Sequence, residues 1–127
     1  YIFMRNNNIN IKVESDFIKE RSSSAIPLYL FSYNIEIYNK GTEEVQLLSR
    51  YWHIEDGSGH IEEIRGPGVV GLKPIIKSEK IFKYSSYCLL KTPFGFMHGS
   101  FQMRSSQDSY FNVLISPFSL AVPDYIN

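Results

Sequence analysis

From Phe31 to Ile37 the chain alternates strictly between apolar residues (Phe31, Tyr33, Ile35, Ile37) and polar ones (Ser32, Asn34, Glu36). A period of two puts every second side chain on one face of an extended strand, whereas a helix would scatter the same residues around its circumference. Ile9, Ile11 and Val13 repeat the pattern near the start. Nine Tyr, nine Phe and many isoleucines supply the aromatic and β-branched side chains that pleated surfaces accommodate. No stretch sustains a helical period. A core built from such a chain has to be made of sheet faces.

Turn chemistry divides the remainder. Asn39-Lys40-Gly41 ends the first clear strand, and Glu44 to Glu55 reads as the next. Asp56-Gly57-Ser58-Gly59 is a hairpin turn, with return pairing from His60 to Arg65. Gly66 to Pro74 reads as a Gly/Pro-rich loop, Ile81 and Lys83 as part of a short strand, and Lys91-Thr92-Pro93 as a further turn. Met97 to Met103 and Tyr110 to Ile115 form a last hairpin joined by the polar stretch Arg104 to Ser109, and Pro117 limits Phe118 to Val122 to an edge or irregular extension. The polar segment Ser15 to Ser24 reads as a loop. Roughly seven strands at intervals of about 10 to 15 residues predict an all-β sandwich or barrel. At 127 residues the chain, 1–127, is expected to be a single domain, without repeats and without low-complexity sequence beyond Asn6-Asn7-Asn8.

Thirteen basic residues balance thirteen acidic ones, so no large field is available to draw in a polyanion, and no nucleic-acid partner is indicated. No apolar run approaches the roughly 20 residues of a membrane span, no signal peptide is visible, and a cytoplasmic location is expected. The opening on Tyr1 instead of Met fits a piece of something longer. The single cysteine, Cys88, lies in apolar sequence and is expected to be a buried, inert thiol.

Two groups of residues invite a chemical reading. Gly66-Pro67-Gly68-Val69-Val70-Gly71 matches the glycine spacing of a dinucleotide-binding fingerprint. That motif has to launch a helix, and Pro74 disrupts the first turn of any helix here, while Pro67 lacks the N–H a phosphate cradle would use. A tight connection between strands is the plainer reading. An anion nest made of Arg65, Gly66, Pro67, Gly68 and Gly71 is the functional alternative. In the second group, a hairpin closing Glu55 against His60 sets His53 opposite Glu62 and Tyr51 opposite Ile64. His53, Glu55, His60 and Glu62 then share one face, and Trp52, Ile54 and Ile61 the other. His53 and His60 are weak candidates for a divalent metal; cross-strand ion pairs on a solvated face explain the pattern more simply. His98 reads as a lone surface histidine. No nucleophile elbow, Walker loop or His-Glu-x-x-His is present, so no catalytic residue and no cofactor is expected.

Three stretches together resemble the ApaG domain family. Gln46-Leu47-Leu48-Ser49-Arg50-Tyr51-Trp52 is similar to the family's Gln-Leu-x-Ser-Arg-x-Trp strand, and Glu62 to Gly71 to its most recognisable segment. Thr92-Pro93, Gly95, Met97 and Gly99-Ser100-Phe101-Gln102-Met103 resemble its Thr-Pro-x-Gly-x-Met-x-Gly-Ser-aromatic-x-Met pattern. The likeness runs from about Ile9 to Val122, with Ser78-Glu79 standing where a Pro-Gly turn is common and His98 where a charged residue is frequent. The resemblance implies an immunoglobulin- or fibronectin type III-like sandwich and a partner-recognition role, and it implies no particular enzymatic activity. It also implies a link in bacteria to cobalt tolerance and magnesium efflux, and gene neighbourhoods shared with a diadenosine tetraphosphate hydrolase. The expected function is therefore a non-catalytic protein-binding module. A phosphate- or nucleotide-binding protein using the glycine loop, for pyrophosphate or a diadenosine polyphosphate, is the first alternative, and a divalent-metal binder the second. Within the family motif, Arg50 is expected to anchor the glycine loop through its carbonyls, and Trp52 to fill the core.

Overall fold

The computed structural model describes residues 8–123. Asn6 and Asn7 of the asparagine run lie outside them. The strands are β1 (Ile9–Phe17), β2 (Tyr29–Asn39), β3 (Val45–Asp56), β4 (Ile61–Pro67), β5 (Ile75–Ile76), β6 (Ile81–Leu90), β7 (Phe94–Ser105) and β8 (Tyr110–Ala121), with one 3₁₀ turn at Lys19–Arg21. A three-stranded sheet runs β1-β2-β6 and a larger one β4-β3-β7-β8, with β5 paired to β3; all pairing is antiparallel. The architecture is the all-β sandwich that the alternation predicts. It has an eighth strand, because Ile75–Ile76, too short to show a period, pairs with Val45 and Gln46. The segment expected as loop from Ser15 instead stays in β1 through Phe17, whose ring lies 5.5 Å from that of Phe31.

Alternation explains the core. Phe31, Ile35 and Ile37 from β2 meet Leu47, Trp52, Met97, Phe101, Met103 and Leu120 from the larger sheet, all almost fully buried. Trp52 joins the sheets, with its ring 5.5 Å from Tyr33 across the interface and 5.9 Å from Phe118, both near edge-on. Such tilted contacts add a geometric preference to the area each ring buries. At the side where β1 approaches β8, the Ser15 hydroxyl donates to the Ser119 carbonyl at 2.9 Å. Buried Asn39 is fully engaged: its amide donates to the carbonyls of Glu43 (2.8 Å) and Ile76 (3.0 Å) and its oxygen accepts from the Gly41 N–H (2.9 Å).

Two irregularities shape the larger sheet. A bulge between Leu47 and Ser49 shifts the β3 register so that Leu47 and Trp52 both face inward. A second, between Met97 and Gly99, falls where Ser116 and Pro117 pass on β8, so Pro117 sits at a bulge of an edge strand, where its missing N–H is tolerated. Gly99 is required there because a Cβ would lie 1.9 Å from the Tyr51 carbonyl oxygen.

Candidate functional site at the glycine loop

The Gly/Pro stretch joins two β-elements and launches no helix. Beyond β4, Val69 and Leu72 exchange backbone hydrogen bonds, each 2.8 Å, across a two-residue turn with Val70 at φ 44° and Gly71 at φ 81°. Two successive positive-φ residues are the geometry of the hairpin turn that follows strand twist. The three glycines serve different needs. Gly66 gives room: a Cβ there would crowd the Arg50 guanidinium at 3.1 Å. Gly68 has φ 61°, and a Cβ on it would strike the Leu72 carbonyl oxygen at 2.2 Å. Gly71 has open space around it and is needed for its φ alone.

Arg50 lies opposite Gly66 on β4 and Phe101 on β7. Its side chain crosses the gap left by Gly66, and Nη1 donates to the carbonyls of Pro67 (3.1 Å) and Gly68 (2.9 Å). The loop therefore turns carbonyls, not N–H groups, toward its cation. The Gly68, Val69 and Leu72 N–H groups donate to Leu48, Leu72 and Val69 carbonyls, and Pro67 has none. Of the turn's donors, those of Val70 and Gly71 remain for an anion.

Outside this loop, the outer face of the larger sheet is uncovered by any element among the described residues. An open groove of about 780 Å³ runs across it, lined by Ser49, Arg50, Tyr51, Arg65, Lys73 and Gln102 among others. Its lining includes three cations and no carboxylate. The Arg65 guanidinium sits over the Tyr51 ring, 4.3 Å from its centroid. The Tyr51 hydroxyl donates to the Glu63 carboxylate, which raises the phenol's pKa. On the groove floor the Ser49 hydroxyl donates to Gln102 (2.8 Å), whose amide donates to the Ser100 hydroxyl (2.8 Å). In the glycine loop Val70 and Leu72 are exposed by 54% and 52%, and Ile75 of β5 by 56%.

The histidine face does not form as the sequence predicts. The turn holds three residues, Gly57-Ser58-Gly59, so Asp56 pairs with His60 and the register moves by one. Asp56 sets this length: its Oδ1 accepts from the Ser58 hydroxyl, the Ser58 N–H and the His60 N–H at 2.7, 2.9 and 3.0 Å. Those bonds, with the Ser58 hydroxyl foremost, lower its pKa. Gly59 closes the turn at φ 89°. His53 thus faces Glu63, Tyr51 faces Arg65 and Glu55 faces Ile61. A one-residue slip reverses faces, so His60 and Glu62 leave the side of His53 and Glu55, and Ile61 joins it, half exposed, instead of lying with Trp52 and Ile54. No group of three or more His, Cys, Asp or Glu placed to hold a metal occurs among the described residues. His53 is instead stacked on His98, 4.5 Å between centroids, with Phe96 6.3 Å from His53. The sequence leaves His98 alone because this pairing depends on the β3–β7 register, which no local signal reports.

Three interior groups are held in their neutral forms. Burial raises the pKa of Tyr33 and Tyr84 and pushes the Cys88 thiol up to about 12. No helix among the described residues is long and apolar enough to cross a membrane.

Comparison with known proteins agrees on one family. The ApaG domain model matches residues 19–105. The protein named ApaG of Mesorhizobium japonicum is 44% identical over 116 residues, covering 91% of this chain and 89% of that protein. Its counterpart in Shewanella oneidensis is 40% identical over 121 residues, covering 95% and 96%. A solved X-ray structure, a structural genomics target designated SoR45, superimposes with a TM-score of 0.90 at 40% identity, covering 94% of this chain and 91% of that one.

Proposed function

The chain belongs to the ApaG domain family, and on that premise we propose that it is a non-catalytic binding module of the cytoplasm that engages a protein partner through the glycine-loop end of its larger sheet. The observation that carries this reading is the exposure of Val70 and Leu72 on a loop tied down by Arg50. Exposed apolar surface on a fixed support is the usual form of a contact site, since little ordering remains to oppose association. The glycines and Arg50, the residues most suggestive of ligand chemistry, are each occupied in building the loop. The interior Tyr33, Tyr84 and Cys88 are protonated and buried, a setting that favours packing over reactivity. A link to cobalt tolerance or magnesium efflux would then run through the partner.

A photo-crosslinking residue at Leu72, compared in cells with one at Lys12 in β1 of the opposite sheet, tests this. A discrete protein adduct is expected from Leu72 alone. Equal labelling from both positions, or none from Leu72, refutes it.

A second reading, phosphate or nucleotide binding, is favoured by one observation: Arg50, Arg65 and Lys73 line the same groove. It requires the Gly66, Gly68 and Gly71 amides to shift on titration with pyrophosphate or diadenosine tetraphosphate, and unchanged amides at millimolar ligand exclude it.

A further inference from the structure

Resting on the module reading, we infer that the partner segment held in this groove is an acidic peptide. Its carboxylates lie against Arg65 and Lys73, and its apolar side chains against Val70 and Leu72. Charge complementarity is the first ground. The whole chain is neutral, thirteen against thirteen, yet this groove gathers cations without a carboxylate in its lining. The adjacent acid, Glu63, has its carboxylate engaged by the Tyr51 hydroxyl. Among the described residues neither Arg65 nor Lys73 forms an ion pair with a carboxylate.

The second ground is preorganisation. Arg65 is held over the Tyr51 ring, 4.3 Å from its centroid, and a guanidinium so placed can still take a carboxylate with two parallel N–H bonds. The Ser49–Gln102–Ser100 chain fixes the polar floor beneath. The third ground separates a peptide from a small oxyanion. Tight phosphate binding wants several donors converging on one point, and the backbone donors that could converge here are mostly spent within the loop. The cations instead come from β3, β4 and the following loop, which also carries exposed Val70 and Leu72, side chains that a free phosphate cannot use. A segment with acidic and apolar side chains interspersed satisfies both halves of the surface.

The test uses the intact chain and four probes: a short peptide alternating Asp or Glu with Leu, the same peptide with Asn and Gln for its acids, the same with Lys, and inorganic pyrophosphate. Backbone amide shifts are followed at Arg65, Gly66, Ser100 and Gln102. Saturable shifts with the acidic peptide alone are expected. Its Kd should rise about tenfold as salt increases from about 0.05 M to about 0.5 M, because exposed ion pairs are screened. Binding should disappear in Arg65→Glu/Lys73→Glu, two exposed positions whose replacement leaves the Arg50 anchor intact. Equal binding of the neutral peptide overturns the acidic assignment while leaving the module reading in place. Shifts with pyrophosphate and none with the acidic peptide overturn it in favour of a small-oxyanion site. Shifts that depend on protein concentration without any probe overturn it in favour of a second copy of the chain. If no peptide perturbs these amides although Leu72 crosslinks a partner, the acidic assignment fails alone; if Leu72 also fails to crosslink, both fall.

Discussion

Replacing Arg50 by Ala separates an architectural role for the glycine loop's cation from a ligand-binding one. The side chain gives two charge-assisted hydrogen bonds, to Gly68 at 2.9 Å in a partly buried setting and to Pro67 at 3.1 Å in an exposed one. A hydrogen bond to a charged group contributes about 1.5–3 kcal/mol when shielded. The exposed bond is discounted to a few tenths, because water replaces the guanidinium at the Pro67 carbonyl. Arg50→Ala should therefore cost about 2 kcal/mol, which lowers Tm by roughly 6 °C in a domain of this size. Urea melts read the loss directly. Hydrogen exchange should show Val69 and Leu72, which bond to each other across the turn, losing protection before the core amides do. Gly66→Ala supplies an independent handle, since its Cβ would sit 3.1 Å from Nη1 and displace the same guanidinium. The two changes should be strongly non-additive, the double variant costing little more than either single one. A loss below about 0.5 kcal/mol for Arg50→Ala, or simple additivity with Gly66→Ala, would falsify the anchor.

Three further outcomes follow from other parts of the fold. The buried Tyr84 hydroxyl has no hydrogen-bond partner among the described residues, so Tyr84→Phe should leave stability unchanged or raise it by about 1 kcal/mol; a clear loss in urea melts would mean that the hydroxyl is satisfied. Glu79 occupies φ 63°, where a Pro-Gly turn would place glycine, and Glu79→Gly should stabilise the chain by up to about 1 kcal/mol by relieving left-handed strain; calorimetry showing a lower Tm contradicts that account. Asp56 has its pKa lowered, first by the Ser58 hydroxyl, so its contribution is present above the unfolded carboxylate range and is lost as pH falls through the folded value. Wild type should thus lose more stability than Asp56→Asn on acidification below about pH 4, and parallel pH profiles would dismiss the Asp56 turn as a contributor.

The parts of this structure legible in the sequence are those whose signal is local. Phe31 to Ile37 announces a strand because four inward side chains repeat at a fixed spacing, and β2 follows that reading. Pro74 rules out a helix after the glycines, and the turn at Val70 and Gly71 bears this out. The anchoring of the loop carbonyls by Arg50 was also within reach, because an arginine paired across a hairpin from a glycine has space to cross it. What escaped depends on partners remote in sequence or on parity. The face of His60 turned on whether Asp56 closes an even or an odd loop, and the side-chain bonds of Asp56 decided that. The His53–His98 stack needed the β3–β7 register, itself shifted by a bulge at Leu48. Lys73, Val70 and Leu72 lie in an irregular segment with no period from which the direction of a side chain could be read.

The likeness of Gly66 to Gly71 to a phosphate-binding fingerprint has a physical origin in this fold. A dinucleotide loop needs glycine for close approach and for positive φ, so that N–H groups can converge on an anion. Here the same two properties let a protein cation approach instead, and the polarity is inverted: the guanidinium of Arg50 fills the gap over Gly66 and gathers carbonyl oxygens. A backbone arranged around a positive charge spends its acceptors inward, and of its N–H groups Gly68 pairs with Leu48 while Val69 and Leu72 close the turn, which leaves only Val70 and Gly71. Any negative partner must then be met by side chains on the outer face, where Arg65 and Lys73 stand. Side-chain cations on an open sheet recognise by charge and spacing, tolerate intervening water and are screened by salt, whereas a backbone nest demands one ion of one size. On the proposed reading, that difference favours an extended, salt-sensitive protein contact over a buried phosphate.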